Sequence, residues 1–153
     1  MNKRMSKLDV TSKRIWRWIV STIAKPNARI GNFPVCPFIN RYKDHIMIVK
    51  TEDPRHVIDN FVTFHKTFAL EAVVCHGFDF SYEHLHSFVN KQNRRLKKHD
   101  IICLGMHPDT EDEPLGFAYT YRNEPLIIIQ RISTLEHARK SLEKTDYYTH
   151  YKE

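Results

Sequence analysis

Apolar positions along this chain follow two rhythms in alternation, one of helical spacing and one of short unbroken runs. Over residues 9 to about 25, Ile15, Ile19, Val20 and Ile23 recur at helical spacing with Trp16 flanking the stripe, which predicts an amphipathic helix ended by Pro26. Residues 26–43 carry Gly31, Pro34 and Pro37 and have no period, so they read as a loop. A loop of that length in a compact domain is unusual unless it has a function. Residues 45–50 hold Ile46, Met47, Ile48 and Val49 in succession, the mark of a strand covered on both faces. Asp53-Pro54 then opens a helix, because the carboxylate caps free amides and proline has no amide to waste. Its apolar face is Ile58, Phe61, Val62, His65 and Phe68, and His65 reads as a packed residue rather than a ligand.

A second strand is predicted over 72–76. A second helix follows from about Asp79 or Ser81 to Lys98, with Tyr82, Leu85, Phe88 and Val89 inward. Residues 101–106 and 125–130 form the third and fourth strands, and Ser133-Thr134-Leu135-Glu136 has the form of a capping box opening a last helix, with Leu135, Ala138 and Leu142 inward. Strand, helix, strand, helix, strand predicts an α/β (or α+β) single domain with a parallel βαβαβ core. About four helices and a mixed sheet of about four to five strands are expected, with a hairpin-like piece near 115–121. Residues 1–153 contain no repeat or linker; a basic extension at about 1–8 and a polar tail at about 144–153 flank the domain.

Composition narrows the class. At 153 residues with 41% hydrophobic content and nine Phe, the chain can bury a proper core. No apolar run approaches the ~18 residues needed to span a bilayer, so no membrane role is expected. Three widely spaced cysteines make no disulfide framework, which points to a reducing cytoplasm. Cys75 and Cys103 fall inside apolar runs and read as core residues. Four glycines with no glycine-rich loop, and the absence of G-x-S-x-G, H-E-x-x-H and C-x-x-C, exclude the strongest catalytic signatures. His84 and His86 lie two apart on a predicted helix and cannot chelate together.

The net charge of +6 is uneven: Lys91, Arg94, Arg95, Lys97 and Lys98 form a basic cluster, whereas residues 109–113 hold four acids. The cluster makes a nucleic-acid or protein-binding module the alternative reading, although it lacks the interleaved aromatics of a single-strand platform.

Polar signatures stand where the strands should end. In parallel sheets ligands bind beyond the carboxyl ends of strands, and Lys50, His76 and His107 each occupy such an end. Three chemistries fit the residue types. Cys36, in a proline-flanked loop, suits a nucleophile with His107 or His76 as its base and Asp109 in support. His76, His107, Asp109 and Cys36 suit an open transition-metal site. Arg122, Lys50 and His107 suit a pocket for a small anionic molecule. An anion- or metal-assisted small-molecule site built from Cys36, His76, His107, Asp109 and Arg122 is therefore expected at this rim. Whether it is an enzyme, and on what substrate, the residue types leave open.

The runs Ile30-Gly31 through Cys36-Pro37-Phe38, His76 with Asp79-Phe80 and Tyr82, His107-Pro108-Asp109, and Tyr119-Thr120-Tyr121-Arg122 before Pro125 resemble, in this order, a bacterial domain-of-unknown-function family, number fourteen-fifteen. The resemblance spans about residues 15–143. It departs where Gly77 replaces a proline after His76 and where the acidic segment 109–113 shortens the stretch before the Tyr119 run. Because that family has no assigned activity, the resemblance implies where a site lies and not what it does.

Overall fold

The computed structural model describes residues 9–37, 39–111, 114–115 and 117–150. The basic extension and Phe38 lie outside the described residues, as do Asp112 and Glu113 of the acidic segment.

Helix α1, Val10–Trp18, starts where the Asp9 carboxylate accepts the Ser12 N–H at 2.7 Å, and its last turn widens into a π-helical segment, Ile19–Ile23. Ser12, Ile15, Trp16, Ile19 and Ile23 face inward at steps of three and four. Trp16 is thus buried within the stripe rather than beside it, and Val20, one position past that face, is 44% exposed. The long loop holds a short helix α2, Ile39–Tyr42, between two turns of 3-10 helix, Ala28–Ile30 and Lys43–His45. Strand β1, Ile46–Lys50, leads to helix α3, Pro54–Phe64, capped by Asp53. Strand β2, Ala72–His76, leads to helix α4, Tyr82–Leu96, whose cap is the Ser81 hydroxyl. Strands β3, Ile101–Met106, and β4, Leu126–Arg131, then precede helix α5, Ile132–Glu143.

The four strands make one mixed sheet in the order β1-β2-β4-β3. β1 pairs with β2 in parallel, Ile46 opposite Ala72, while β4 runs antiparallel to both β2 and β3. The first three strands therefore point the same way, but β4 is inserted between the second and third. Its apolar run explains its place: Leu126, Ile127 and Ile129 are fully buried, and only a central strand is covered on both faces. Ile127 and Ile129 pack with Ile58, Phe61, Leu85 and Val89 of α3 and α4, whereas Leu126 faces Ile15, Trp16 and Ile19 of α1. α4 lies so close to β3 that a Cβ at Gly105 would stand 3.1 Å from Leu85 Cγ.

Several local expectations change in three dimensions. Helix α5 begins at Ile132, and the expected capping box does not form. Ser133 instead gives its N–H (3.0 Å) and its hydroxyl (2.6 Å) to the Asp100 carboxylate, which caps α5 from the start of β3. The cause is that β4 runs straight into α5, leaving no turn in which Ser133 could fold back on its own amides. Replacing Asp100 by Ala should therefore cost about 1 kcal/mol, as loss of any side-chain cap does, and a denaturant midpoint would show it. No strand forms near 115–121 among the described residues; Leu115 packs with Ile30, Leu142 and Tyr147 in a third cluster. Tyr147, expected in a polar tail, is 2% exposed and sets its ring edge-on against Phe33 at 5.5 Å. Phe68 is 65% exposed and Tyr82 38%, so neither joins the inward face expected of it; Phe68 lies four residues past the end of α3, and Tyr82 is the first residue of α4.

Candidate functional site

The carboxyl ends of β1 and β2 and the start of β4 meet at one rim, and His76 is the centre of what they build. Its ring is fully buried. Nδ1 lies 3.1 Å from Glu124 Oε1, and Nε2 lies 2.8 Å from Ser12 Oγ. An ionised carboxylate only accepts, so Nδ1–H donates to Glu124, and in the neutral form of the ring Nε2 is left as an acceptor for the Ser12 hydroxyl. Gly77 N–H donates to the same Glu124 oxygen at 3.0 Å. Gly77 has φ +94°, and a Cβ there would stand 2.9 Å from Lys50 Cγ, so this turn accepts no side chain. Asp9 is held below the usual carboxylate range, chiefly by the Ser12 N–H.

His107 is 7% exposed, and both of its ring nitrogens are engaged. Nε2–H donates to the Phe80 carbonyl at 2.9 Å, and Nδ1 accepts the Asp109 N–H at 3.1 Å. Arg122 Nη1 donates to the carbonyls of Pro108 (2.8 Å) and Thr110 (2.5 Å), clamping the turn that holds His107 and Asp109. The segment before β4 thus reaches both ways: Arg122 to the end of β3, Glu124 to the end of β2. Between them in the chain runs Tyr121, buried against Trp18 with ring centres 5.5 Å apart. Burial raises its phenol above the ordinary range, opposed by the Asn123 side chain.

The sequence signatures are therefore gathered in two groups and not in one pocket. Lys50 lies opposite His76 in register, and His107, Asp109 and Arg122 are joined. Cys36 lies elsewhere. Its N–H donates to the Ile23 carbonyl, and it stands beside Ile46, Ala72 and Gln130 at the other end of the sheet. Five residues of parallel strand, about 13 Å, separate that end from the His76 rim. The proposed nucleophile therefore has neither His76 nor His107 as its base.

The metal assignment to His76, His107 and Asp109 is also corrected. Among the described residues no group of three or more His, Cys, Asp or Glu is placed to hold a metal ion. The physical reason is that His76 points to Ser12 and Glu124 while His107 spends both nitrogens on backbone. The open pocket beside Asp109 encloses about 540 Å³ and is lined by Ser81, Tyr82, Glu83, Asp109 and Glu111. Its three carboxylates disfavour an anion there, and Arg122, the cation expected to hold one, is engaged by carbonyls.

Ser12 and Glu124 are the residues that sequence reasoning missed. A serine on the apolar stripe of α1 was the available signal for the first; nothing local marks the second.

A further cavity lies on the α1 face of the sheet. It holds about 340 Å³ and is lined by Trp18, Val74, Met106, Ile128, Ala138 and Leu142 among others, with Cys36, Pro37 and Tyr119 also in its wall. Its walls are overwhelmingly apolar. The basic residues Lys91, Arg94, Lys97 and Lys98 are exposed at the end of α4, while Arg95 pairs with Asp59 at 2.7 Å. Cations at a helix carboxyl end complement its dipole, which accounts for the cluster without a partner. His84 stacks on Phe80 while His86 lies tilted against Tyr82, so the two do not act together. Among the described residues no helix is long and apolar enough to cross a membrane.

Comparison with protein-family models, with curated proteins and with solved structures found no match.

Proposed function

We propose that this domain binds a small, largely apolar molecule in the cavity on the α1 face of its sheet. The observation that carries the reading is the cavity itself: about 340 Å³, walled by aliphatic and aromatic side chains with few polar groups among them. Ligand sites are typically clefts of roughly 300 to 1,000 Å³ with that lining. The small-molecule reading of the sequence is kept, and its place moves from the strand ends to the sheet face. The likeness to family fourteen-fifteen belongs to the same proposal, since Cys36-Pro37 and Tyr119 come from two of its motifs and both line the cavity. The cysteines are free thiols, which favours the cytoplasm. A nucleic-acid role for the α4 cations has no comparable support, because cations at a helix carboxyl end already complement its dipole.

Anilinonaphthalene sulfonate, an apolar fluorescent probe, should bind saturably at one site with a dissociation constant on the order of 10 µM, or roughly 7 kcal/mol of favourable free energy. Energy transfer from Trp18, in the cavity wall, should report it. Ala138 is 9% exposed and faces the cavity, so Ala138→Trp should fill the space and abolish binding. Absence of saturable binding by a cooperatively folded wild-type protein would refute the proposal.

A further inference from the structure

We infer that Ser12, His76 and Glu124 form a nucleophile, base and orienting acid able to accept an acetyl-sized acyl group on Ser12 Oγ. This site is separate from the apolar cavity and does not rest on it. The order of contacts is the one acyl transfer needs: hydroxyl to Nε2 at 2.8 Å, then Nδ1 to carboxylate at 3.1 Å. The Ser12 amide donates to Asp9, whose carboxylate also interacts with the Ser12 hydroxyl and so holds Oγ beside His76, and the Gly77 N–H pins the carboxylate oxygen that receives Nδ1–H.

A purely structural fastener explains this arrangement poorly. Three apolar side chains would hold α1 on the sheet as well, without desolvating an imidazole and a carboxylate. The array also joins three separate elements at the carboxyl rim of a mixed sheet, where the parallel pair β1–β2 ends. Ser12 is 3% exposed, which sets the substrate class: a compact, activated ester or thioester.

The step balances within the array. Ser12 Oγ attacks the carbonyl carbon, a C–O bond forms, and the hydroxyl proton passes to His76 Nε2. The bond to the leaving alcohol or thiol breaks, and that group takes the proton from Nε2. Water then attacks the acyl carbon and gives a proton to Nε2, the bond to Ser12 Oγ breaks, and Oγ takes that proton back as the carboxylic acid leaves. Glu124 stays ionised and holds Nδ1–H throughout.

The test uses p-nitrophenyl acetate on the whole protein. A burst of about one equivalent of nitrophenolate should appear, with the acetyl group found by peptide mass spectrometry on Ser12. Ser12→Ala should remove burst and adduct together. His76→Gln should slow acetylation roughly 10²- to 10⁴-fold, the range for a general base. Glu124→Gln leaves the buried pair of Ser12 and His76 in place and is the variant to use should His76→Gln not fold; it should slow acetylation and change its dependence on pH. Native protein that acquires no adduct on Ser12, or does so at a rate indifferent to both substitutions, would overturn the inference and leave the array a fastener.

Discussion

Truncating Ile127 to Ala should lower stability by about 3 to 4 kcal/mol, a large part of the ~5 to 15 kcal/mol that holds a domain together. Ile127 lies in the central strand β4, opposite Cys75 on one side and Gly105 on the other, and is fully buried. Its side chain packs with those of α3 and α4, and rigid neighbours on a sheet cannot collapse to fill the space it leaves. A urea titration should show the midpoint fall with the slope unchanged. Met47 on the edge strand β1 makes the contrast, being 45% exposed. Met47→Ala should change stability by less than about 1 kcal/mol. Equal losses at the two sites would contradict the placing of β4 at the centre.

The second large effect is in thiol chemistry. Burial pushes the thiols of Cys75 and Cys103 from 9.0 up to about 12. At neutral pH fewer than about one in 10⁴ of such groups would be thiolate, and only the thiolate attacks iodoacetamide. Cys36 is partly exposed in the wall of the apolar cavity. Iodoacetamide at neutral pH should therefore modify Cys36 alone, with Cys75 and Cys103 reacting only as the protein unfolds. Occupation of the cavity by the fluorescent probe should slow the Cys36 reaction.

The same two thiols give stability a pH dependence of definite sign. Their folded values lie above their unfolded ones, so the fold favours the protonated form. That contribution is complete below about pH 9 and is lost as pH rises from 9.0 towards about 12. A melting temperature that held steady across that window, with Cys75 and Cys103 unmodified, would contradict the burial of both.

Much of the fold was legible because secondary structure is a local property. The stripe of α1, the Asp53-Pro54 start of α3 and the apolar runs of all four strands depend on residues within a turn or two of each other. His65 was read as a packed residue, and it stacks on Phe61 at 5.0 Å while Nδ1–H donates to the Phe61 carbonyl. The sequence reading put Cys36, His76, His107, Asp109 and Arg122 in one pocket, whereas the structure joins His107, Asp109 and Arg122 at a turn and sets Cys36 elsewhere. Arg122 holds backbone carbonyls there, and no composition distinguishes a cation that binds ligand from one that binds a turn.

What the amino-acid order determined by itself is the set of elements and the faces they bury, because hydrophobic spacing and capping act over a few residues. Only the tertiary structure decided which elements became neighbours. β4 took the centre because its run of isoleucines needs cover on both faces, and this parted β3 from β2. Asp100 replaced the capping box of α5 because it stood across the junction where β4 enters that helix. Cys36 was carried to the far end of the sheet by its bond to Ile23. Ser12 and Glu124 met His76 across 64 and 48 residues of chain, separations over which no local pattern carries information. Such meetings depend on the closing of long loops, whose entropy grows only slowly with length, so packing of the whole core chooses among them.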